Sequence, residues 1–227
     1  MRWWLPLLPL FLAACAAADG AALLRASPWP GRLIADLLPA EGERVAEWDG
    51  ETEAAPEGAP ALALGLGPRR GIARLVQEEG ERRLWRTPGG VVVATEGARV
   101  VATAGLREML AATRFDGPDP LARLPEIGEE EWRGTRMVDL MRSGTDPARM
   151  RFGVRLDCRL RAEAAAEDTL LVRETCRGDA RFVNRFWADA RSRAVFRSEQ
   201  WIGDGLPPLV VEVVSAPAAA EVMALPR

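Results

Sequence analysis

Three cysteines, Cys15, Cys158 and Cys176, carry most of the reactive chemistry this 227-residue sequence has available. A thiol can serve as nucleophile, metal ligand, lipid acceptor or disulfide partner. The first two roles need partners that are missing. The chain has no His, so no imidazole can activate a Cys or Ser nucleophile or complete a metal site. All 30 basic residues are Arg, which removes Schiff-base chemistry and the phosphate lysine of a P-loop. Gly65-Leu66-Gly67 leads into Pro68-Arg69-Arg70 instead of a helix opened by a third Gly, so no dinucleotide fingerprint is present. No GxSxG elbow occurs. Carboxylate groupings such as Asp116 with Asp119, or Glu129 to Glu131, sit in turn-like text and read as solvated surface. No catalytic residue, metal ligand set or cofactor emerges, and the expectation is a protein that is not an enzyme.

What remains for Cys15 is lipid. Met1-Arg2 is a short positive start, and Trp3 to Ala13 is apolar throughout. At 11 residues that run is too short to span a bilayer as a helix. It ends in Leu12-Ala13-Ala14-Cys15, which has the form of a lipobox. Small side chains fit the signal peptidase cleft, and the thiol accepts the diacylglycerol. The alternative is an ordinary signal peptide cut after Ala16-Ala17-Ala18. The lipobox reading makes residues 1–14 a signal peptide and Cys15 the membrane anchor. Ala16 follows instead of Asp, which favours the outer membrane, facing the periplasm. Cys158 and Cys176 are then left to pair, as an oxidising compartment permits, or to remain two buried thiols. A bridge between them would close a loop of about 18 residues.

The elements that must place these groups are mostly strands. Composition is globular, 48% hydrophobic and 28% charged, and the length suits one domain of about 200 residues. The net charge of −3 argues against a nucleic-acid partner. The arginines are spread among acidic residues with no long basic run and read mostly as solvated strand faces, a glycan-facing, anion-binding Arg surface being the alternative. Residues 15–60 form a lipid tether, a short helix over Pro28–Leu38 and an acidic, Gly/Pro-rich linker. Residues 61–216 form a β-rich domain, and 217–227 an irregular tail. Period-two runs predict strands at Ala61–Leu66, Ile72–Gln77, Arg82–Thr87, Val91–Thr95 and Arg99–Thr103. They recur at Trp132–Leu140, Arg151–Arg161, Leu170–Arg177, Arg181–Ala188, Ala194–Ile202 and Leu209–Ser215. Leu106–Arg114 has the spacing of a helix, closed by Phe115-Asp116-Gly117-Pro118. Phe152, Val154, Leu156 and Cys158 share an apolar face, and a turn over Ala162–Asp168 lets Cys158 meet Cys176. The fold class is therefore mainly β: an antiparallel meander forming an open or closed barrel-like sheet, with one or two short helices. Six Trp lie beyond the signal peptide and read as core or as sugar-stacking surfaces.

Arg181–Gln200, RFVNRFWADARSRAVFRSEQ, is the most specific text. It reads as strand, polar turn, strand, with Asn184, Trp187 and Asp189 on the first arm. Arg197, Ser198 and Gln200 lie on the second. Asn, Asp and Ser here suit backbone groups at a turn. The spacing of these residues, followed by Trp201-Ile202-Gly203 and the strand Leu209–Val214, resembles the C-terminal signature of the YjbF family of lipoproteins. Relatives in that family include GfcB of the group 4 capsule operon. Leu84-Trp85-Arg86-Thr87, Gly89-Gly90-Val91 and Arg99 to Leu106 resemble its middle segment. The resemblance covers about residues 60 to 215 and the lipid signal. Phe186 stands where Tyr is common, and Arg193 where Gly is usual, which leaves the turn type open.

The resemblance implies a lipoprotein tied to exopolysaccharide or capsule production, with no established catalytic residues to carry over. The expectation is a lipid-anchored, non-enzymatic accessory protein in polysaccharide export or assembly. Its partners would be the membrane through Cys15, and a polysaccharide or an export-machinery protein. The strand-turn-strand theme is also similar to the half-barrels of the carriers LolA and LolB, which hold acyl chains on a concave apolar face. A lipid carrier is thus the alternative. A glycan-cleaving enzyme would need two carboxylates facing a cleft, about 5–10 Å apart.

Overall fold

The computed structural model describes residues 58–122, 131–142, 150–166 and 168–217. Cys15, the signal peptide, the expected helix over Pro28–Leu38 and the tail from residue 218 lie outside the described residues. Twelve strands follow one another along the chain. They are β1 (Ala61–Leu66), β2 (Arg69–Glu79), β3 (Arg82–Arg86), β4 (Val92–Glu96), β5 (Arg99–Ala104), β6 (Glu108–Phe115), β7 (Trp132–Arg142), β8 (Arg151–Ala166), β9 (Thr169–Gly178), β10 (Phe182–Asp189), β11 (Val195–Gln200) and β12 (Leu209–Ser215).

All twelve form one antiparallel sheet in the order β5-β4-β3-β2-β1-β12-β11-β10-β9-β8-β7-β6. Each strand pairs with its sequence neighbour, except that β1 joins β12 and β5 is not laddered to β6. The two free edges lie against each other, and the Leu110 N–H donates to Thr103 Oγ1 across them at 3.0 Å. The sheet is thereby nearly closed into a barrel, the arrangement that leaves least edge exposed. Period-two text drives this. On β8, Val154, Leu156, Cys158 and Leu160 are buried while Arg155, Asp157, Arg159 and Arg161 are exposed. The inward residues join Leu62, Leu64, Leu110, Val138, Ile202 and Leu209 in one apolar core.

Three expectations are corrected. Leu106–Arg114 is not a helix; from Glu108 on its residues belong to β6, and no α-helix occurs among the described residues. The helical spacing of Leu106, Met109 and Leu110 competed with a true alternation in which Leu106, Glu108 and Leu110 are all buried. A carboxylate occupies an inward position there. Glu108 accepts backbone N–H bonds from Asp204 at 3.0 Å and Gly205 at 2.9 Å. Tertiary pairing along the barrel seam then outweighs local propensity. Phe152 does not share the inward face of Val154 but is 66% exposed. Gly153 at φ 64° turns the strand locally, and its N–H is held by Asp139 at 2.7 Å. Finally, β8 runs on to Ala166, so the turn to β9 is much shorter than Ala162–Asp168.

The turn between β10 and β11 puts Arg193 in a backbone conformation that suits Gly. Asp189 accepts from the N–H of Ser192 (2.6 Å), the hydroxyl of Ser192 (2.7 Å) and the N–H of Arg191 (3.2 Å). These donors, the Ser192 N–H foremost, hold the Asp189 carboxyl below its ordinary range. Arg193 closes the turn at φ 63°, where a side chain is strained. Arg193→Gly is expected to stabilise the domain by about 0.5 kcal/mol, the strain relief exceeding glycine's extra unfolded-state entropy. Thermal melting checks it: Tm should rise by about 1–2 °C.

Candidate functional site

Inward positions on β7, β9 and β10 carry polar groups in phase with apolar neighbours. Glu174 lies between Val172 and Cys176, and Arg136 precedes Val138 and Leu140. Asn184 sits opposite Glu174 in the β9–β10 register. Arg99, at the start of β5, reaches the same place from the other wall. These four side chains are fully buried.

Arg99 forks onto Glu174, Nη1 to Oε2 at 2.9 Å and Nη2 to Oε1 at 3.0 Å. It also holds Asp119, through Nε to Oδ2 and through Nη2 to Oδ1 at 3.0 Å. Asn184 Nδ2 donates to Glu174 Oε2 at 2.6 Å. Arg136 is held less well. Its Nη1 is 3.4 Å from Glu174 Oε2, its Nη2 is 3.3 Å from Thr113 Oγ1, and its Nε has no partner. The Phe115 ring is near both guanidiniums, 4.6 Å from Arg99 Cζ and 5.9 Å from Arg136 Cζ.

Two arginines face two carboxylates, so the cluster is neutral overall. Burial alone would raise the Glu174 pKa, but Arg99 and then Arg136 more than reverse this, and the carboxyl is held below its ordinary value. Burial likewise opposes charge on Arg99, yet Glu174 and Asp119 drive its pKa up. For Arg136 burial wins over Glu174, and its pKa falls to about 10. Glu174 is therefore an ionised acceptor with its oxygens already engaged. It has no proton to give at neutral pH and no free oxygen to take one.

The motif residues divide between inside and outside. Asn184 Oδ1 accepts from the Trp201 N–H at 2.7 Å. Gln200 spans the barrel from β11 to β5, accepting from Val100 N–H at 2.9 Å and donating to Ala98 C=O and Ser198 Oγ, each at 2.9 Å. Gln200 thus pins opposite walls together, Ser198 orients its amide, and Asn184 ties β10 to its neighbours β9 and β11, roles the turn reading did not give Asn184 or Ser198. Asp189 does serve the turn. Trp187 is half-buried on the outer face under Arg197, whose Cζ is 5.3 Å from its ring. Trp85 and Trp201 are core.

Sequence reasoning missed Arg99, Asp119, Arg136 and Glu174. The available signal was a charge in phase with an apolar face, as in Val172-Glu174-Cys176. Cys158 and Cys176 are register partners and form a disulfide. Their sulfurs lie near the Glu174 carboxylate, within 4.8 Å. With both sulfurs in the bond, neither is a thiolate that could bind a metal there.

An open apolar groove of about 360 Å³ lies at one barrel mouth. Leu62, Trp85, Phe196 and Val211 line it, with Arg83 and Arg197 beside them.

Residues 51–214 match the family described as group 4 capsule polysaccharide lipoprotein gfcB, YjbF. A crystal structure of the hypothetical lipoprotein YmcC from Escherichia coli K12 is similar to this chain, at 19% identity and a TM-score of 0.56. The likeness covers 74% of this chain and 93% of that one, and it shows a shared fold. No curated protein matches the chain.

Proposed function

We propose that this chain, which belongs to the YjbF family of group 4 capsule polysaccharide lipoproteins, is a lipid-anchored, non-enzymatic accessory factor in exopolysaccharide or capsule export or assembly at the outer membrane. The family match carries this reading, because it takes in every strand of the barrel but for the last residue of β12. Cys15 supplies the anchor; among the described residues no helix is long and apolar enough to cross a membrane. The non-enzymatic part is supported by the state of the buried carboxylates. Glu174 is sealed under Arg99, Arg136 and Asn184, and Glu108 is engaged by two backbone donors. The test is deletion of the gene in its own host, with surface polysaccharide measured. The deletion should lower surface polysaccharide, the wild-type chain should restore it, and Cys15→Ser should leave the protein out of the membrane fraction. Unchanged polysaccharide in the deletion strain would overturn the proposal.

The mouth groove favours a second reading, a lipid carrier. Its volume lies within the range of small-ligand pockets, about 300–1,000 Å³. Lipid extracted from the purified protein and identified by mass spectrometry would support it. Protein that carries none after gentle purification would remove it.

A further inference from the structure

Charge is paired in register over most of the barrel's outer face. Arg82 faces Glu96 and Glu79, Arg83 faces Glu78, Arg185 faces Glu199, and Arg197 faces Glu212. One like-charge pair, Arg74 with Arg86, interrupts this on β2 and β3, and across β7 to β10 like pairs predominate, with Asp157 opposite Arg177 the exception. Arg133 faces Arg159, Arg161 faces Arg173, and Arg173 faces Arg185. Like charges directly opposite each other destabilise a sheet. Folding alone would favour Thr or alternating signs here, as on the neighbouring strands.

Arg155 and Arg177 extend the same patch and are exposed, as are Arg133, Arg159, Arg161 and Arg173. Acids are few. Glu131 holds Arg133 at 2.7 Å, Glu163 holds Arg173 at 2.6 Å, and Glu199 holds Arg185 at 3.3 Å. Asp157 lies among Arg155, Arg159 and Arg177. Among the described residues, Arg155, Arg159, Arg161 and Arg177 have no ion pair. Asp179, which accepts from the Arg155 N–H at 3.0 Å, offsets Arg181 at the edge, and the seven other arginines against these four carboxylates leave +3 on this face of a chain whose net charge is −3.

We infer that the outer face of β7–β10 binds an anionic polysaccharide, its acidic groups held by the in-register arginines. Guanidinium forks match carboxylates bidentately, and arginines on adjacent strands stand about 5 Å apart. Thr135 and Thr175 fill intervening outward positions with hydroxyls suited to a sugar. A membrane-docking face would instead carry protruding large apolar side chains amid its basic residues. Among the described residues Val183, opposite Thr175, is the one exposed large apolar side chain among the arginines, and Phe152 stands beyond them on β8. The polymer as occupant rests on the polysaccharide role proposed above; the cationic patch does not.

The test uses the full mature chain in detergent, with polygalacturonate as probe, dextran as neutral control and phosphatidylglycerol-containing vesicles as the membrane control. Polygalacturonate should bind, more weakly as salt is raised, and dextran should not. The variant Arg155→Gln/Arg159→Gln/Arg161→Gln should lose at least about tenfold in affinity while melting no lower at low salt, because repulsion has been removed. Arg69→Gln/Arg70→Gln/Arg86→Gln, on another face, should bind as the wild type does. Equal binding by the first variant, a lowered Tm for it, or preference for vesicles over the polymer would overturn the inference. Expressed in the deletion strain, the first variant should fail to restore surface polysaccharide. Full restoration would overturn the face while leaving the cellular role standing. A deletion without phenotype would overturn that role and leave the binding assay to judge the face.

Discussion

Glu174→Leu is expected to cost about 3–5 kcal/mol and to leave little folded protein at 37 °C. The substitution removes the partner of two buried guanidiniums. Arg99 keeps Asp119, which is one-fifth exposed, but Arg136 keeps only Thr113 at 3.3 Å and the aromatic rings. An uncompensated buried charge is what makes such losses large. The triple variant Arg99→Met/Arg136→Met/Glu174→Leu should therefore recover most of the loss, since a well-packed apolar set avoids desolvating ions at all. Urea titration of both variants decides it. If the triple variant is as unstable as the single one, packing volume and not charge is responsible. The single arginine variants should differ as well. Burial outweighs ion pairing at Arg136 but not at Arg99, which holds both carboxylates, so Arg136→Met should cost less than Arg99→Met.

The same cluster fixes an acid limit. The folded-state pKa of Glu174 is below its unfolded value, so the folded state holds fewer protons as pH falls from neutral. Its contribution is complete above the ordinary carboxylate range and is lost as pH drops through the lowered folded value. The triple variant should accordingly show a shallower loss of stability between about pH 5 and pH 2 than the wild type. An identical acid profile would mean that other carboxylates set the limit.

Legibility in the sequence followed the range of the interaction. The bounds of β1 and β12, and the tight turns among β3, β4 and β5, are written in local alternation and glycine spacing, and the structure has them where the text places them. β6 was illegible because its inward series contains Glu108, whose donors, Asp204 and Gly205, come almost a hundred residues later. Arg99 was illegible for the same reason. Its partners lie 20 and 75 residues away, and alone it reads as one more solvated strand residue. Asn184 and Gln200 stood out by type and motif, but Asn184 works by joining the buried Glu174, and Gln200 by tying opposite walls, which only the closed barrel brings within reach. Fork geometry and closure are tertiary facts, so a single strand's text carries at most the hint of a charge on an apolar face.

Removal of the Cys158–Cys176 bond is the second large effect expected. The cysteines face each other on β8 and β9, both almost fully buried, and the bond closes a separation of 18 residues. In the chain-entropy model a loop of that size contributes about 3 kcal/mol, by restricting the unfolded chain. Cys158→Ala/Cys176→Ala should lower stability by that amount, while the inward alternation of β8 and β9 keeps the register. Cys158→Ser alone should do worse, because it buries a hydroxyl and leaves Cys176 unbonded. Reductant without urea should leave the wild-type bond largely intact, since the sulfurs are reached only when the hairpin opens; alkylation followed by mass measurement reads this directly. The sulfurs also form the wall beside Glu174. Loosening that wall admits water to the ion cluster and lessens what the missing carboxylate costs. Adding Glu174→Leu to the double alanine variant should therefore cost less than it does in the wild type, a coupling of about 0.5–1 kcal/mol in a double-mutant cycle. Strict additivity would show that the disulfide and the cluster stabilise the barrel independently.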